Sequence, residues 1–247
     1  MSTNLTDNRL ITNYSCIFIL NQSKLILKMI ETRLEIIIDE IKYGTDKVIL
    51  KNIKLDINQN GLYGFFGKNG QGKSTFLKAL CGLKSFEGKI NLNQNILKPS
   101  EIAFIATEPN LYEYLTAEEF YTFYQKVSGR EDSQTNVKLF DINEKILLKA
   151  MSTGTLKKAY INTILQFNDY KLYIFDEPFN GLDIESNYIL IQKIKKLAEN
   201  NIVLISSHII EIIAPFLMKT FYVNNQSIIE IENQNLNELF MNNYMYE

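Results

Sequence analysis

The spacing of hydrophobic and polar positions in this chain predicts strands and helices in mixed order. Clean alternation in Ile53–Ile57 and the apolar segment Leu34–Ile38 predict strands, with Lys89–Leu92 as a third. We expect these three strands to form a small antiparallel layer. Continuous apolar runs are typical of strands buried on both faces. Such runs occur at 61–66, 102–106, 172–176 and 202–206. The chain is therefore predicted to have an α/β fold.

Apolar residues at helical spacing predict helices between these strands. The three sets are Phe76, Leu77, Leu80, Cys81 and Leu83; Phe120, Tyr121, Phe123, Tyr124 and Val127; and Ile184, Tyr188, Ile191, Ile194 and Leu197. A capping box at Thr116 and Glu119 predicts where the second helix begins. A polar stretch at 128–134 predicts a loop, and short helices are expected from 137 to 149.

Composition and charge restrict the class of protein. The chain has 247 residues, 46% hydrophobic and 22% charged, which are ordinary values for a globular protein with a proper core. Its formal net charge of −2 gives no basic surface of the kind that nucleic-acid binding needs. Cys16 and Cys81 lie too far apart in sequence for a metal cluster or a disulfide framework, which favours two reduced thiols.

The N-terminal region fits none of the downstream patterns. Its apolar run, 16–20, is far shorter than the roughly 20 residues that a membrane-spanning helix needs, and no cleavage site for a secretory leader follows it. We predict that Met29 is the natural start and that residues 1–28 are an extension, flexible or not native. Intact-mass measurement of the native protein tests this prediction.

A glycine-rich stretch after the buried run 61–66 carries the first chemistry. Gly67, Gly72, Lys73 and Ser74 occupy the fixed positions of a phosphate-binding loop. Glycines let backbone N–H groups approach a polyphosphate, the lysine reaches the terminal phosphates, and the serine hydroxyl binds Mg²⁺. The predicted nucleotide-binding residues of this loop are Gly67, Lys68, Asn69, Gly70, Gln71, Gly72, Lys73, Ser74 and Thr75.

Two acidic residues and the single histidine follow two later buried runs. Asp176 ends the run at 172–176, and a carboxylate there is suited to hold Mg²⁺ beside the phosphate loop. Glu177 is placed to act as catalytic base toward the attacking water. His208 follows the run at 202–206, and we predict that it lies at the γ-phosphate, because carboxyl ends of parallel strands share one edge.

The order of these motifs resembles that of an ATP-binding-cassette (ABC) ATPase. The residues that carry the resemblance are Tyr43, Gly67–Thr75, Met151–Thr155, Phe175–Pro178, Asn180–Asp183 and His208. The resemblance covers about residues 29–232 and looks closest to the ATP-binding subunits of bacterial ABC-2-type exporters. It implies a P-loop NTPase (RecA-like) core with an antiparallel β subdomain and an inserted helical subdomain at about 107–154. We expect residues 233–247 to form a short C-terminal helix or tail.

The resemblance also implies roles for residues. Tyr43 would stack on adenine, and Ser74 with Asp176 would hold Mg²⁺. Ser152, Thr153 and Gly154, part of the signature segment Met151–Thr155, would contact ATP held by a second subunit. Asn180, Gly181, Leu182 and Asp183 would form the loop that touches that subunit. Glu177 and His208 would be catalytic.

The same resemblance implies partners and a location. It predicts a separate transmembrane permease and a second ABC ATPase subunit, identical or different, with ATP and Mg²⁺ as cofactors and no nucleic acid. The chain would lie in the cytoplasm, peripheral on the inner face of the cell membrane. Tyr112, Tyr114 and Phe120 are the predicted permease contacts. The identity of the transported substrate and the direction of transport are not encoded in these motifs.

Two features depart from the family pattern. Thr107 stands near where the family has a glutamine that reads the γ-phosphate and couples to the permease, and we expect its shorter side chain to be a poorer Mg²⁺ ligand. In the signature, Thr153 replaces the first glycine and Thr155 stands where glutamine is common. We expect Thr153 to be tolerated if its φ is negative, and hydrolysis to be slowed rather than abolished. Three alternatives stay open: a regulatory cassette with weak hydrolysis, a non-transport ABC protein, and a small-molecule kinase. An ATPase assay separates the first, chain length argues against the second, and the signature argues against the third.

Overall fold

The protein is described by a computed structural model covering residues 32–44, 47–108, 112–131, 133, 138–208 and 210–232. Its strands are β1 Leu34–Tyr43, β2 Lys47–Ile57, β3 Gly61–Phe66, β4 Glu87–Leu92, β5 Asn95–Ile96, β6 Ile102–Ile105, β7 Leu172–Asp176, β8 Ile202–Ser206, β9 Leu217–Asn224 and β10 Ser227–Ile231. Its helices are α1 Lys73–Leu80, α2 Ala117–Val127, α3 Thr153–Leu165, α4 Ile184–Ala198 and α5 Ile210–Ile213. The predictions for 1–28 and 233–247 lie outside the described residues.

The larger sheet brings the predicted site residues to one edge. Its strand order is β10-β9-β3-β8-β7-β6, with every neighbouring pair parallel except β10 and β9. Because β3, β7 and β8 run in the same direction, the phosphate loop, the acidic pair and His208 all follow strand ends at the carboxyl edge. This edge is where ligands bind in parallel α/β sheets.

The smaller sheet is antiparallel and has the order β2-β1-β4-β5. Alternate residues of β1, such as Ile36 and Ile38, face α1 and the larger sheet, and they join one continuous buried cluster with Phe76 and Leu204. Burying these side chains stabilises the layer by about 1.5–3 kcal/mol for each large aliphatic residue. The predicted fold class, with its antiparallel β subdomain, is confirmed.

The helical region after β6 is built on the predicted capping box. The Thr116 hydroxyl accepts a hydrogen bond from the Glu119 amide, and the Glu119 carboxylate accepts one from the Thr116 amide. α2 buries Phe120 and Tyr121 against Leu148 and Ala159 of the segments that follow. Phe120 is only 5% exposed, so the prediction that it contacts a permease is wrong.

Arg130 fastens this region to the sheet. Its guanidinium bonds the Asp169 carboxylate at 2.9 Å and the Ser100 carbonyl oxygen at 2.7 Å, and it lies 4.2 Å from the centre of the Tyr170 ring. These partners come from two separate segments, one just before β6 and one just before β7. The side chain therefore holds the C-terminal end of α2 against the core.

Three details of the sequence prediction are corrected. Ile184 and Tyr188 are 90% and 65% exposed, because α4 packs through a face that contains Leu190 and Ile194. Leu83 and Val127 are also exposed, since the first lies beyond α1 and the second lies at the open end of α2. The described part of the predicted helices at 137–149 is irregular chain that ends in a 3-10 turn, Leu148–Ala150.

Among the described residues, no helix has the length and apolar character needed to span a membrane.

Candidate nucleotide site

The phosphate loop joins β3 to α1 and is enclosed by strands on both sides. Gly67 and Gly72 have φ values of 146° and 105°, a range that side chains strongly disfavour. A β-carbon on Gly67 would collide with the carbonyl oxygen of Val223 in β9, and one on Gly72 would lie 2.8 Å from a methyl carbon of Ile49. Only glycine therefore lets the backbone turn here.

The loop leaves Lys73 with a buried positive charge. Its side chain is 7% exposed and its ammonium donates to the carbonyl oxygens of Gly67 and Lys68, at 2.7 and 3.2 Å. Burial lowers the Lys73 pKa, and Glu177 and Asp176 act in the opposite direction. A buried ammonium that bonds only neutral carbonyls favours an anion nearby, so the geometry fits the terminal phosphates of a nucleotide.

Asp176 meets the phosphate loop from the end of β7. Its Oδ1 accepts hydrogen bonds from Ser74 Oγ at 3.0 Å and from Ser206 Oγ at 2.7 Å. A hydroxyl and a carboxylate this close fit Mg²⁺, which takes few protein ligands and completes its shell with water and substrate phosphates. Within the part of the chain described, no group of three or more His, Cys, Asp and Glu residues forms a metal site, and this two-residue arrangement needs none.

Glu177 is held in an unusual backbone conformation. Its φ of 47° lies in the left-handed region, a strained state that concentrates at functional sites. Ser206 supports it, because the Glu177 amide donates to both the side-chain and backbone oxygens of Ser206 at 3.1 Å. The bend directs the Glu177 side chain toward His208 instead of along the strand.

The carboxylate of Glu177 keeps one oxygen available. Its Oε2 accepts from the His208 amide at 3.0 Å. The His208 Nε2 approaches Oε1 to 3.1 Å, yet Oε1 accepts no hydrogen bond within the described residues, so this approach is not an aligned bond. Burial raises the Glu177 pKa, and the charges of His208 and Lys73 oppose that rise. A buried, unbonded carboxylate oxygen is suited to accept a proton from water.

Thr107 lies beside the same acids. Its hydroxyl donates to the backbone carbonyl of Asp176 at 3.1 Å. The contact is to the backbone and not to the carboxylate, so the described geometry ties Thr107 to β7 without showing it as a metal ligand. The assignment of Thr107 as a metal ligand remains a prediction.

Tyr43 lies at the open end of β1. It is 70% exposed, which distinguishes it from a core tyrosine, and the Lys84 ammonium lies 5.0 Å from the centre of its ring. An exposed aromatic face at this point is available for stacking, and the predicted adenine contact remains a prediction.

The signature segment starts a helix on the surface. Ser152 caps α3 by accepting from the Thr155 amide at 3.2 Å, and both Ser152 and Thr153 are exposed. Thr153 is not among the residues with positive φ, so the condition for tolerating it is met. A β-carbon on Gly154 would lie 2.9 Å from the Gly181 carbonyl oxygen, so the signature directly touches the Asn180–Asp183 loop.

Two further residues belong to the site and were not predicted. Ser206 bridges both acids, and a polar residue at the end of an otherwise apolar strand was a signal that could have indicated it. Lys157 in α3 is 4% exposed and donates to the carbonyl oxygens of Ala106 and Thr107. No spacing rule indicates it, because lysine is common on helices and its partners lie about 50 residues away.

Comparisons with known proteins agree with this geometry. Residues 50–180 match the family model described as ABC transporter. The chain is 33% identical over 226 residues to the lantibiotic transport ATP-binding protein SrtF of Streptococcus pyogenes, covering 83% of this chain and 94% of that protein. It is 32% identical over 185 residues to the bacitracin transport ATP-binding protein BcrA of Bacillus licheniformis, covering 68% and 59% respectively.

A solved structure supports the fold. The structure of an ATP-binding subunit of an ABC transporter superposes with a TM-score of 0.71 at 24% identity, over 84% of this chain and 92% of that one. The resemblance found in the motifs is thereby confirmed at the level of family and fold. The chain belongs to the ABC transporter family, as one of its ATP-binding subunits.

Proposed function

We propose that this chain hydrolyses ATP to drive export of a substrate through a membrane permease formed by a separate chain. ATP hydrolysis for transport is the activity of the family to which it belongs. The observation that carries the site assignment is the meeting of Ser74, Asp176 and Glu177 at one edge of the sheet, beside Lys73. The direction of transport, the permease and the residue roles are the proposed parts.

In the proposed site, Ser74 and Asp176 hold Mg²⁺, and the loop amides with Lys73 hold the phosphates. When bound, the metal ion neutralises charge on the phosphate oxygens. Ser206 fixes the Asp176 carboxylate beside Ser74, because both hydroxyls donate to the same carboxylate oxygen. Lys73 exchanges its two carbonyl partners for phosphate oxygens, which gives the buried charge an anionic partner.

Glu177 is the proposed base. Its buried Oε1 accepts a proton from the attacking water, and the bent backbone at this residue aims the carboxylate at that water. His208 contacts the same carboxylate through its amide and its ring, and so it orients Glu177 and lies near the γ-phosphate. General-base catalysis of this kind contributes about 10²–10⁴-fold to the rate.

The proposed active form contains two ATP-binding subunits facing each other. Ser152 and Thr153 are exposed at the start of α3, where backbone N–H groups favour an anion. The chain buries Lys73, whereas it leaves the start of α3 exposed. We infer that this helix start meets ATP held by the second subunit, and that the Asn180–Asp183 loop lies at the same contact.

The proposed permease contact is an aromatic surface on the helical region. Tyr112 and Tyr114 are 59% and 76% exposed, and the Tyr112 ring packs edge-on against Phe123 at 4.8 Å between centres. Exposed tyrosines are typical of protein interfaces. A permease bound here would hold the chain at the inner face of the membrane. Co-purification of the product of a neighbouring membrane-protein gene tests this proposal, and loss of the complex in Y112A/Y114A locates the contact.

A modified antimicrobial peptide is the first substrate class to test. SrtF is named for transport of a lantibiotic and BcrA for transport of bacitracin. We expect the chain, reconstituted with its permease in vesicles, to show ATPase activity that such a peptide stimulates. ATPase activity that no peptide of this class changes would contradict the substrate assignment and leave the ATPase assignment standing.

Glu177→Gln tests the mechanism. The amide keeps the shape of the carboxylate but is a far weaker base, so turnover should fall by about 10²-fold or more while ATP affinity stays within a factor of about two. Steady-state ATPase assays and titration with a fluorescent ATP analogue measure the two quantities. Wild-type turnover in this variant would refute the assignment of Glu177.

A regulatory cassette with weak hydrolysis is the second candidate. The altered signature at Thr153 and Thr155 and the threonine at 107 are the observations that favour it. It predicts wild-type turnover no faster than that of Glu177→Gln, with ATP binding intact, and the same assays decide between the two.

A further inference from the structure

Lys157 is a buried charge for which the proposed chemistry has no use. It lies one turn into α3, is 4% exposed, and bonds the carbonyl oxygens of Ala106 and Thr107 at 2.9 and 2.8 Å. Burial lowers its pKa to about 8, and Asp176, Glu177 and Glu108 act in the opposite direction. Burying an ammonium is unfavourable because it loses its water shell, whereas an apolar side chain would fill the same space without that loss. The two carbonyl contacts are therefore the property to explain.

The two carbonyls belong to the segment that ends β6 and reaches the acids. Thr107 is held on one side by Lys157 and on the other by its own hydroxyl, which donates to the Asp176 carbonyl oxygen at 3.1 Å. Tyr160, also in α3, adds a second attachment, because its hydroxyl donates to the Phe104 carbonyl oxygen and accepts from the Ala106 amide. The end of β6 is therefore fixed to α3 by side chains and to β7 by Thr107.

The neighbouring Lys158 bonds the Asn180–Asp183 loop. Successive residues on a helix point about 100° apart, so adjacent lysines reach different partners. The Lys158 ammonium bonds the Asp183 carboxylate at 2.8 Å, and Asp183 also caps α4 by accepting from the Ser186 amide. The helix that begins with the signature is thus bonded to the segments on both sides of the acidic pair.

We propose that Lys157 is a positioning residue that links α3 to Thr107. Through this link, contact of the signature with the second subunit's nucleotide changes the position of Asp176. The proposal rests on the proposed ATPase function and deepens it. Lys157 donates to the Thr107 carbonyl oxygen, and the Thr107 hydroxyl donates to the Asp176 carbonyl oxygen, so Thr107 connects the signature helix to β7. The link passes through α3, Lys157, Thr107 and Asp176 in that order.

Three variants test the link. Lys157→Met keeps the length of the side chain but removes its donors, and we expect kcat to fall about 10-fold while ATP affinity stays within about twofold. Lys157→Arg restores donors to both carbonyls and should return kcat to within about threefold of the wild type. Lys196→Met, an exposed lysine on α4, is the control for loss of a charge and should change neither quantity.

A double-mutant cycle separates this link from a general structural role. Thr107→Val removes the hydroxyl that bonds Asp176 and keeps the shape of the side chain. If Lys157 acts through Thr107, the two losses in kcat combine to much less than their product. Fully multiplicative losses, or unchanged kcat in Lys157→Met, would overturn the proposal.

Hydrogen exchange gives a readout that does not depend on hydrolysis. In ATP-free protein, Lys157→Met should speed amide exchange in peptides covering 103–108 and leave peptides of the smaller sheet unchanged. Unchanged exchange at 103–108 would overturn the link. Absence of ATP hydrolysis in the wild-type protein would instead refute the proposed function, so the two failures are distinguishable. If Lys157→Met fails to fold, Lys157→Leu, which also lacks donors to the two carbonyls, replaces it in both measurements.

Discussion

The phosphate loop and the signature segment both present backbone N–H groups at the start of a helix, but their surroundings differ. The loop is packed between β2 and β9, and its Lys73 is 7% exposed. The signature segment begins α3 with Ser152 and Thr153 exposed. We propose that the first is a nucleotide cradle completed by its own chain. In this proposal the second is half of a site, which a neighbouring subunit completes. Perturbing the two segments should therefore affect different quantities.

Between the two segments, the larger effect is expected from changes in the loop. Lys73→Ala removes a charge-assisted bond to phosphate, so ATP affinity of the isolated chain should fall about 10- to 100-fold. Titration with a fluorescent ATP analogue measures it, and the loss should be the same at every protein concentration. Full affinity in this variant would show that the loop is not the nucleotide cradle.

Ser206→Ala should have the next largest effect. The hydroxyl orients Asp176 and supports the Glu177 amide, and removing it should lower kcat about 5- to 30-fold with little change in KM. Ser227→Ala, which removes an exposed hydroxyl from β10, is the matched control. A rise in KM without a fall in kcat would mean that Ser206 affects substrate binding and does not position the catalytic acids.

A change in the signature segment is expected to weaken dimerisation and not nucleotide binding. Gly154→Val forces a side chain toward the Gly181 carbonyl oxygen, so it should displace the helix start from the Asn180–Asp183 loop. ATP affinity of the isolated chain should not change, whereas ATP-dependent dimerisation of a Glu177→Gln background, measured by sedimentation, should weaken by several-fold. Reduced nucleotide affinity in the monomer would contradict the division of roles.

Thr153→Gly should have the smallest effect and the opposite sign. It restores the glycine of the family pattern on an exposed helix start, and we expect kcat to rise about twofold because the second subunit's phosphate can approach more closely. ATPase assays across a range of chain concentrations check this prediction. An equal rise at all concentrations would indicate an effect within one chain.

Local patterns predicted the loop, the acids and most of the elements. The fixed spacing of Gly67, Gly72, Lys73 and Ser74 depends on a backbone conformation that few residues allow, so sequence alone identifies it. Buried runs predicted β3, β7 and β8, and parallel-sheet geometry then indicated that His208 lies at the carboxyl edge where nucleotide binds. The exposed face of α4 was predicted wrongly, because Ile184 and Tyr188 obey the period of the helix but lie outside the face that meets the sheet.

The motifs alone identified the nucleotide-binding chemistry, because each motif is a short run whose residues are neighbours in the chain. Tertiary packing, which the motifs do not contain, decided that Ser74 and Asp176, 102 residues apart, meet at 3.0 Å. It also decided that Ser206 bridges the two acids and that Lys157 turns inward to Thr107. These contacts depend on which strands are neighbours and on how α3 packs against β6, and such long-range packing leaves no periodic pattern in the chain.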